Sequence, residues 1–231
     1  MRLALALSCL GLGYLEHRIM KLYDYELSGN CYKVRLLLHF LRVPCERISV
    51  DFFPGKEHKG EAFLRDINPL GQLPVIDDAG FLLRDAQAIL TYLASKYDDS
   101  GQWYPDSPQL RGQIQIWLGV AEDITRTASA ARLHDALGYS HIDVAACRDG
   151  ARSVFRVLDN HLAERQMLGA QWLVGDTPTI ADIACFPYVA LSAEGGISLT
   201  EFPAIRQWAW AFRSRKGFIG MAGIMPMELT D

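Results

Sequence analysis

Apolar residues change their spacing along the first half of the chain, which predicts alternating strands and helices. Short runs of β-branched and large apolar residues predict strands, and stripes that recur every three to four residues predict helices. The predicted elements are a strand at 21–27, a helix with its apolar stripe at 34–41, a strand at 47–52, a short helix at 59–67, a hairpin at 74–83 that turns at 78–80, and a helix at 86–97. This βαβ order followed by ββα indicates an α/β unit.

The second half is predicted to be entirely helical. Residues 98–108 are polar and rich in turn-forming residues, which indicates a linker. Beyond the linker, apolar residues keep helical spacing, for example along 110–124 around Trp117. Thr179 and Asp182 have the spacing of a capping box, in which the residue that caps a helix and the third residue of that helix bond to each other's backbone.

The chain therefore divides into three predicted regions. Residues 20–98 are the α/β domain, and residues 108–225 are the all-α domain. Residues 1–19 stand apart, because Arg2 is followed by an apolar stretch that resembles the start of a signal peptide but leads to no small-x-small cleavage site. We interpret these residues as an N-terminal extension that is not part of the fold.

Composition narrows the classes of function. Half of the 231 residues are hydrophobic and 22% are charged, which is ordinary for a globular protein. The net charge of -4 offers no basic surface for nucleic acid, and no apolar run is long enough for a transmembrane helix. We therefore expect partners that are small molecules or a second copy of the chain, with no nucleic acid and no membrane.

The cysteines are dispersed, without a CxxC pair or a Cys/His cluster of zinc spacing. They are Cys9, Cys31, Cys45, Cys147 and Cys185. An odd and scattered set is typical of free thiols in a reducing compartment. We expect a cytoplasmic protein that holds no metal.

The loop after the first predicted strand is the first candidate for chemistry, since a helix begins within its sequence SGNCYKVRLLL. A helix N-terminus stabilises an anion such as a thiolate, and the Ser28 hydroxyl is a donor for it. Lowering a thiol pKa by about 2 units from its usual value near 8.5 takes ~3 kcal/mol, which is of the order of one charge-assisted hydrogen bond and a helix terminus. The alternative is that Ser28 or Asn30 only caps the helix.

Cys31, in the same segment, raises the possibility of redox chemistry. With a single sulfur in the S-x-x-C pattern, no internal disulfide forms there. A mixed disulfide with the thiol of a ligand keeps Cys31 as a second candidate, and the alternative is a small buried packing residue.

Two later segments add further candidates. In NPLGQLPVI, a cis bond between Leu73 and Pro74 would direct the Leu73 backbone toward solvent. In RDAQAILTYL, Asp85 and Ala86 open a helix whose N-terminus is a second place for an anion.

These three segments, followed by GDTPTIADIACFPYV, resemble the cytosolic glutathione transferase superfamily in order and spacing. The resemblance extends from about Met20 to Ile224. It implies a thioredoxin-like N-terminal domain that binds glutathione, an all-α helical C-terminal domain and a homodimer.

The resemblance also assigns roles to single residues. Ser28 falls on the serine that activates the glutathione thiol in the serine-dependent classes, and Asn30 falls on an asparagine of the disulfide-reducing bacterial nu class. Leu73, ahead of the family's cis-proline Pro74, is implied to hold the cysteinyl backbone of glutathione. Asp85 supplies the acid of the family's acid-serine pair, which receives the γ-glutamyl group.

Ala86 departs from that pair, because it keeps the backbone N–H but lacks the serine hydroxyl. The loss removes one hydrogen bond to a charged group, roughly 1.5 to 3 kcal/mol. His58 matches a histidine that some classes place on the glycyl end of glutathione, and Lys56 or Lys59 supplies a charge there instead. All three are otherwise ordinary solvated surface residues.

From this resemblance we expect an enzyme that transfers glutathione to a hydrophobic electrophile, which binds between the domains against the helix that carries Trp117. One alternative is a glutathione-dependent disulfide-bond oxidoreductase, suggested by Asn30 and Cys31. Another is a binding module that keeps the fold without catalysis, suggested by Ala86.

Overall fold

A four-stranded sheet organises the first half of the chain. The computed structural model describes residues 19–226, so the extension expected at 1–19 lies, apart from Ile19, outside the described residues. The elements of this half are β1 (Met20–Asp24), α1 (Gly29–Leu41), β2 (Cys45–Ser49), a 3₁₀ turn (Glu57–Lys59), α2 (Glu61–Asp66), β3 (Val75–Asp78), β4 (Phe81–Arg84) and α3 (Ala86–Tyr97).

The strands lie in the order β2-β1-β3-β4. β1 pairs with β2 in parallel, whereas β1 with β3 and β3 with β4 are antiparallel. The hairpin turns on Ala79 and Gly80, whose φ angles of 54° and 95° suit the two-residue turns that join twisted strands. These features confirm the predicted α/β, thioredoxin-like domain.

Strands β1 and β2 both stop earlier than the sequence pattern suggests. β1 ends at Asp24 because a turn follows, closed by the Ser28 N–H donating to the Tyr25 carbonyl at 2.9 Å. β2 ends at Ser49 because the Phe52 N–H donates to the Val50 carbonyl at 2.8 Å in a tight turn. A run of strand-forming residues does not show where the strand pairing stops.

Helices build the second half, as predicted. They are α4 (Pro108–Ile124), α5 (Ala130–Leu137), α6 (Val144–Met167), α7 (Ile180–Ala190) and α8 (Pro203–Arg213), with a π-helical turn (Thr125–Ser129) and a 3₁₀ turn (Ser192–Gly195). The π-helical turn joins α4 to α5 without a break in the chain path, and no sequence pattern predicted it.

Helix α7 is the centre of the helical domain and begins with the predicted capping box. The Thr179 N–H donates to Asp182 Oδ2 at 2.9 Å, and the Thr179 side chain caps the helix in return. Asp182 Oδ1 also accepts from the Leu173 N–H and from the Trp208 indole, at 3.1 and 2.9 Å. Burial raises the pKa of the Asp182 carboxyl, and these bonds act against that effect. The role of Asp182 is structural.

The two domains share one packed boundary. Every residue of α7 from Ile180 to Val189 is buried, and both α1 and α3 pack against this helix. The Tyr32 hydroxyl of α1 donates to the Ile219 carbonyl across the boundary.

The segment predicted as a linker belongs to this boundary. Trp103 is buried and stacks on Phe40 of α1, with the ring centroids 4.9 Å apart. Its N–H donates to Asp98 at 2.7 Å, and its carbonyl accepts from the Ile180 N–H at 2.9 Å. The connection is therefore a packed element, which a polar composition alone does not reveal.

Candidate functional site

A cavity of about 430 Å³ lies between the two domains, with walls from both. Seven of the eight residues predicted from the sequence line it, and the eighth, Cys31, does not. The seven are Ser28, Asn30, His58, Leu73, Pro74, Asp85 and Ala86. The structure thus brings together four separate segments of the N-terminal domain.

Ser28 is the N-cap of α1, and its Oγ accepts the Cys31 N–H at 3.2 Å. Ser28 therefore caps the helix, as the alternative reading of the sequence expected. Capping does not exclude a second task, because a hydroxyl that accepts a hydrogen bond keeps its own proton for donation.

Asn30 lines the cavity in the first turn of α1. Its backbone N–H donates to Tyr188 Oη at 3.2 Å, and its Oδ1 is buried with no hydrogen-bond partner among residues 19–226. With the Cys31 N–H bound to Ser28, two amides of the first turn are already engaged. The positive end of the helix dipole stays available to an anion, but these two donors do not.

Cys31 is fully buried and does not line the cavity. Its Sγ accepts the Tyr25 N–H at 3.5 Å. Burial raises the pKa of the thiol to about 12, so it is protonated at neutral pH. The structure supports the packing alternative for this residue, because its side chain is fully buried and does not line the cavity.

The Leu73–Pro74 bond is cis, as the sequence predicts. Pairing of β3 with β1 starts at Val75, so Leu73 precedes the strand ladder while lining the cavity. Gln72, beside it, also lines the cavity and was not predicted from the sequence.

Asp85 is the N-cap of α3, where its Oδ1 accepts the Ala88 N–H at 2.9 Å. Its φ of 76° is a strained value for a residue with a side chain, and such strain is concentrated at functional sites. Ala86 follows as the first residue of the helix, and it is buried. Gln87 then donates to Glu122 of α4, a second carboxylate on the cavity wall.

His58 and Lys59 bring nitrogen groups to the cavity from the 3₁₀ turn. The His58 ring stacks on Phe52 with centroids 4.1 Å apart, and its Nδ1 is buried without a partner in the described part of the chain. Burial, together with the nearby charges of Lys59 and Lys56, lowers the pKa of His58, which keeps the imidazole neutral at neutral pH. Lys59 Nζ donates to the Gly71 carbonyl at 2.8 Å, whereas Lys56 does not line the cavity.

The helical domain supplies a wall that sequence reasoning did not identify. It comprises Glu122, Thr125, Arg126, Ser129, Ala130, Arg132, Leu133, Leu137, Tyr139 and Tyr188. Helix α4 reaches the cavity only near its C-terminal end, through Glu122. Trp117, further back on the same helix, is buried, and its ring centroid lies 4.5 Å from that of His161. Trp117, which marked this helix in the sequence, therefore does not line the cavity, and the cavity wall continues from Glu122 into the π-helical turn and α5.

The lining of the cavity combines charged groups of both signs with apolar surface. Carboxylates at Asp85 and Glu122 suit a cation, Lys59 and Arg126 suit an anion, and Leu133 and Leu137 give an apolar surface. In residues 19–226, no group of three or more His, Cys, Asp or Glu side chains has the arrangement of a metal site. In the same residues, no helix is long and apolar enough to cross a membrane.

Comparison with known families matches both halves of the chain. Residues 22–101 match the family described as glutathione S-transferase, N-terminal domain, and residues 121–216 match glutathione S-transferase, C-terminal domain.

Individual proteins agree with these matches. Human glutathione S-transferase theta-2 is 31% identical over 170 residues, covering 72% of this chain and 69% of its own, and Escherichia coli glutathione S-transferase GstB is 28% identical, covering 82% and 91%. Among solved structures, a glutathione S-transferase from Pseudomonas fluorescens superposes with a TM-score of 0.77 at 29% identity, covering 88% of this chain and 98% of its own. The yeast protein Ure2p in complex with glutathione gives a TM-score of 0.74 at 28% identity, covering 86% and 91%.

Proposed function

Since the chain belongs to the glutathione S-transferase superfamily, we propose that it binds glutathione in the cavity between its domains and transfers it to an electrophilic small molecule. Family membership confirms the resemblance found in the sequence motifs. The activity and the serine-dependent class are our proposal. The observation that carries it is the position of Ser28, at the start of α1 and on the cavity wall.

The charges of the cavity support glutathione as the ligand. The γ-glutamyl end of glutathione carries an ammonium and a carboxylate, and the glycyl end carries a second carboxylate. Asp85 suits the ammonium, the first amides of α3 suit the adjacent carboxylate, and His58 and Lys59 suit the glycyl end. Leu73 would bind the cysteinyl backbone through main-chain hydrogen bonds, which need no particular side chain. The glutathione complexes of Ure2p give further support.

Ser28 would then donate a hydrogen bond to the thiolate sulfur of glutathione and keep its own proton. A thiol pKa near 8.5 must fall by about 2 units, at a cost of ~3 kcal/mol, for most of the thiol to ionise at neutral pH. One charge-assisted hydrogen bond contributes roughly 1.5 to 3 kcal/mol, and a helix N-terminus contributes up to about 1 kcal/mol more. The two effects at this one place are therefore sufficient.

The reaction that follows is nucleophilic attack by sulfur on carbon. The thiol proton leaves to solvent when the thiolate forms, a sulfur–carbon bond then forms, and a leaving group departs with the electron pair of its bond to carbon. Leu133, Leu137 and Tyr139 would hold a hydrophobic electrophile. Catalysis consists of lowering the thiol pKa and positioning the two reactants.

Ser28→Ala tests this proposal. The variant is expected to raise the kinetic pKa of the thiol and to lower kcat/KM toward a halogenated nitroaromatic at pH 6.5 by about 30-fold, the equivalent of roughly 2 kcal/mol. Ser107→Ala is the matched control, because Ser107 caps α4 in the same way, at 3.4 Å from the Leu110 N–H, and does not line the cavity. An unchanged pH profile in Ser28→Ala, with the control also unchanged, would exclude Ser28 from this role.

Disulfide reduction remains the nearest alternative, because Asn30 lies on the cavity wall. A side-by-side assay with a mixed disulfide of glutathione and with the nitroaromatic distinguishes the two activities. A higher kcat/KM for the disulfide would overturn the transferase proposal.

A binding module without catalysis is the second alternative, and Ala86 is the observation that favours it. Ure2p, whose structures include a nitrogen regulation fragment of a yeast prion protein, shares the fold. Failure of millimolar glutathione to raise the Tm would exclude glutathione binding, whereas a raised Tm without turnover of either substrate would favour the binding module.

We also propose that the protein is a homodimer in a reducing, cytoplasmic compartment. Leu70 and Phe81 are exposed apolar residues of the N-terminal domain, and such residues are suited to a subunit interface. The cysteines of the described residues are free, as expected in reducing conditions. Sedimentation equilibrium at micromolar concentration tests the dimer, and a monomer mass would exclude it.

A further inference from the structure

The π-helical turn between α4 and α5 places three of its five residues on the wall of the cavity. They are Thr125, Arg126 and Ser129. Two threonine hydroxyls tie the turn to the end of α4, since Thr125 donates to the Ala121 carbonyl at 2.8 Å and Thr127 donates to another α4 carbonyl at 2.6 Å. π-helical turns are frequent at functional sites. The backbone that carries Arg126 is therefore held in place at the cavity.

Three cationic side chains of the described residues line this cavity, and two of them are already engaged. Lys59 donates to two backbone carbonyls, at 2.8 and 3.3 Å, and lies where the glycyl end of glutathione is proposed to bind. Arg132 is buried, and its guanidinium bonds both the Glu194 carboxylate and the Leu27 carbonyl. The cation that remains for another ligand is Arg126.

The ion pair that Arg126 forms is exposed. Its partner is Asp123, three residues earlier in the chain, which does not line the cavity. The exposed fractions of the two side chains are 72% for the arginine and 47% for the aspartate. Exposed pairs of this kind contribute little to stability, whereas a guanidinium binds a planar carboxylate through two parallel hydrogen bonds. The guanidinium can thus exchange Asp123 for an anionic group of a ligand at little cost.

The wall that follows Arg126 in the helical domain is apolar and aromatic. It includes Leu133, Leu137 and Tyr139. From the N-terminal domain, Tyr25 and Phe52 line the same cavity, with their rings stacked at a centroid distance of 5.3 Å. The Tyr139 ring lies 6.3 Å from that of Phe53, so aromatic residues of both domains meet beside the cavity. Aromatic faces and edges of this kind favour a planar aromatic ligand.

The carboxylate of Glu122, on the same wall, belongs to the other end of the cavity. Gln87 donates a hydrogen bond to it, and Gln87 is the second residue of α3, directly after Ala86. The proposed function places the γ-glutamyl group of glutathione at this helix start. The negative charge of Glu122 is therefore on the glutathione side, whereas Arg126 stands in the turn that leads into α5 and its apolar residues.

We propose that the electrophile is an aromatic compound that carries a carboxylate or a similar acidic group, and that Arg126 determines this preference by binding that group. The inference rests on the proposed function and names the substrate class of the same site. With an aromatic chloride, the thiolate sulfur bonds to the ring carbon, and chloride leaves with the electron pair of the carbon–chlorine bond. The acidic group is unchanged and Arg126 transfers no proton, so the arginine is a specificity-determining residue.

Two substrates with the same skeleton test the preference. They are 4-chloro-3-nitrobenzoate and its methyl ester, which lacks the negative charge. The kcat/KM of each is divided by the rate constant of its uncatalysed reaction with glutathione, which removes the difference in intrinsic reactivity. On this scale we expect the wild-type protein to favour the acid about tenfold at pH 7.

Arg126→Gln is expected to lower kcat/KM for the acid about tenfold and to change that for the ester less than about twofold. Arg126→Lys keeps the positive charge and should retain most of the preference for the acid. Arg152→Gln is the matched control, because Arg152 also forms an exposed pair three residues from its partner, Asp149, and does not line the cavity. A loss as large in this control would overturn the inference, since it would then reflect the net charge of the protein.

The ester separates this inference from the proposed function. Turnover of neither substrate by the wild-type protein would refute the proposed function itself. Turnover of the ester without a preference for the acid refutes only the role of Arg126, and so does an equal loss on both substrates in Arg126→Gln. A higher KM for glutathione in Arg126→Gln, with both substrates, would also overturn the inference, because the arginine would then bind glutathione.

Discussion

Arg132 of α5 donates a hydrogen bond to the Leu27 carbonyl at 2.8 Å, so the helical domain fixes the backbone one residue before Ser28. The guanidinium is buried and also pairs with Glu194. A charged group held from two sides is a rigid support. The loop that carries the proposed catalytic serine is therefore positioned by the other domain as well as by its own.

Arg132→Lys tests this support. Lysine keeps the charge but cannot bond Leu27 and Glu194 in one plane, so the loop should loosen. We expect kcat with the nitroaromatic to fall about tenfold, roughly 1.4 kcal/mol, with a smaller change in KM for glutathione. Arg148→Lys is the control, because Arg148 similarly bonds the Gly195 carbonyl at 2.9 Å and does not line the cavity. Equal losses in both variants would contradict a specific role for Arg132.

Ala86→Ser should improve glutathione binding. The substitution adds a hydroxyl at the first residue of α3, where the carboxylate of the γ-glutamyl group is expected. A hydrogen bond to a charged group is worth roughly 1.5 to 3 kcal/mol, so the Kd for glutathione should fall at least tenfold by calorimetry. Ala88→Ser, exposed on the same helix, is the control and should leave the Kd unchanged. A weaker affinity in Ala86→Ser would show that the ligand is placed differently.

His58 should make stability depend on pH below neutrality. Burial and the two neighbouring lysines lower the pKa of His58 in the folded protein, so the unfolded chain binds its proton more readily. The free energy of unfolding therefore decreases as the pH falls through 6.5, the pKa of a histidine in the unfolded chain. Urea unfolding at pH 7 and pH 5 measures this effect. The decrease in the free energy of unfolding between the two pH values should be smaller in His58→Gln than in the wild type.

His39→Gln, at an exposed position of α1, is the control for that measurement. If the free energy of unfolding decreases by the same amount in His58→Gln and in the wild type, other groups cause the pH dependence.

Cys31 should be chemically inert in the folded protein. Because burial raises its thiol pKa to about 12, it holds almost no thiolate at pH 8. Cys31→Ala is expected to leave unchanged both the number of thiols that react rapidly with an aromatic disulfide reagent and the rate of disulfide reduction. A loss of one fast-reacting thiol would contradict the buried position. Cys45→Ala, which removes a half-buried thiol, is the comparison variant.

The sequence predicted those cavity residues whose role is marked by their immediate neighbours in the chain. Ser28 and Asp85 are N-caps, and a cap is recognisable from the few residues around it. Tyr188 and Arg132 were missed because they come from helices more than a hundred residues further along the chain. Tyr188 stands in an apolar helix, where an aromatic residue indicates a core position and gives no sign of its neighbour.

The buried state of Cys31 was likewise open in the sequence. Its position in a helix start is visible, but the side of the helix that faces the sheet depends on which strand the helix packs against. The π-helical turn at 125–129 has no sequence signature at all, since its residues fit an ordinary helix.

The burial of α7 along almost its whole length has a consequence for how substrates are chosen. A helix packed on all sides in this way resists displacement, because any movement of one domain against the other would open voids along its length. Under the proposed function, selectivity among electrophiles would then depend on the size of a few side chains that line the cavity, above all Leu133, Leu137 and Tyr139. A different range of electrophilic substrates would then require substitutions at those side chains, with no change in how the two domains pack.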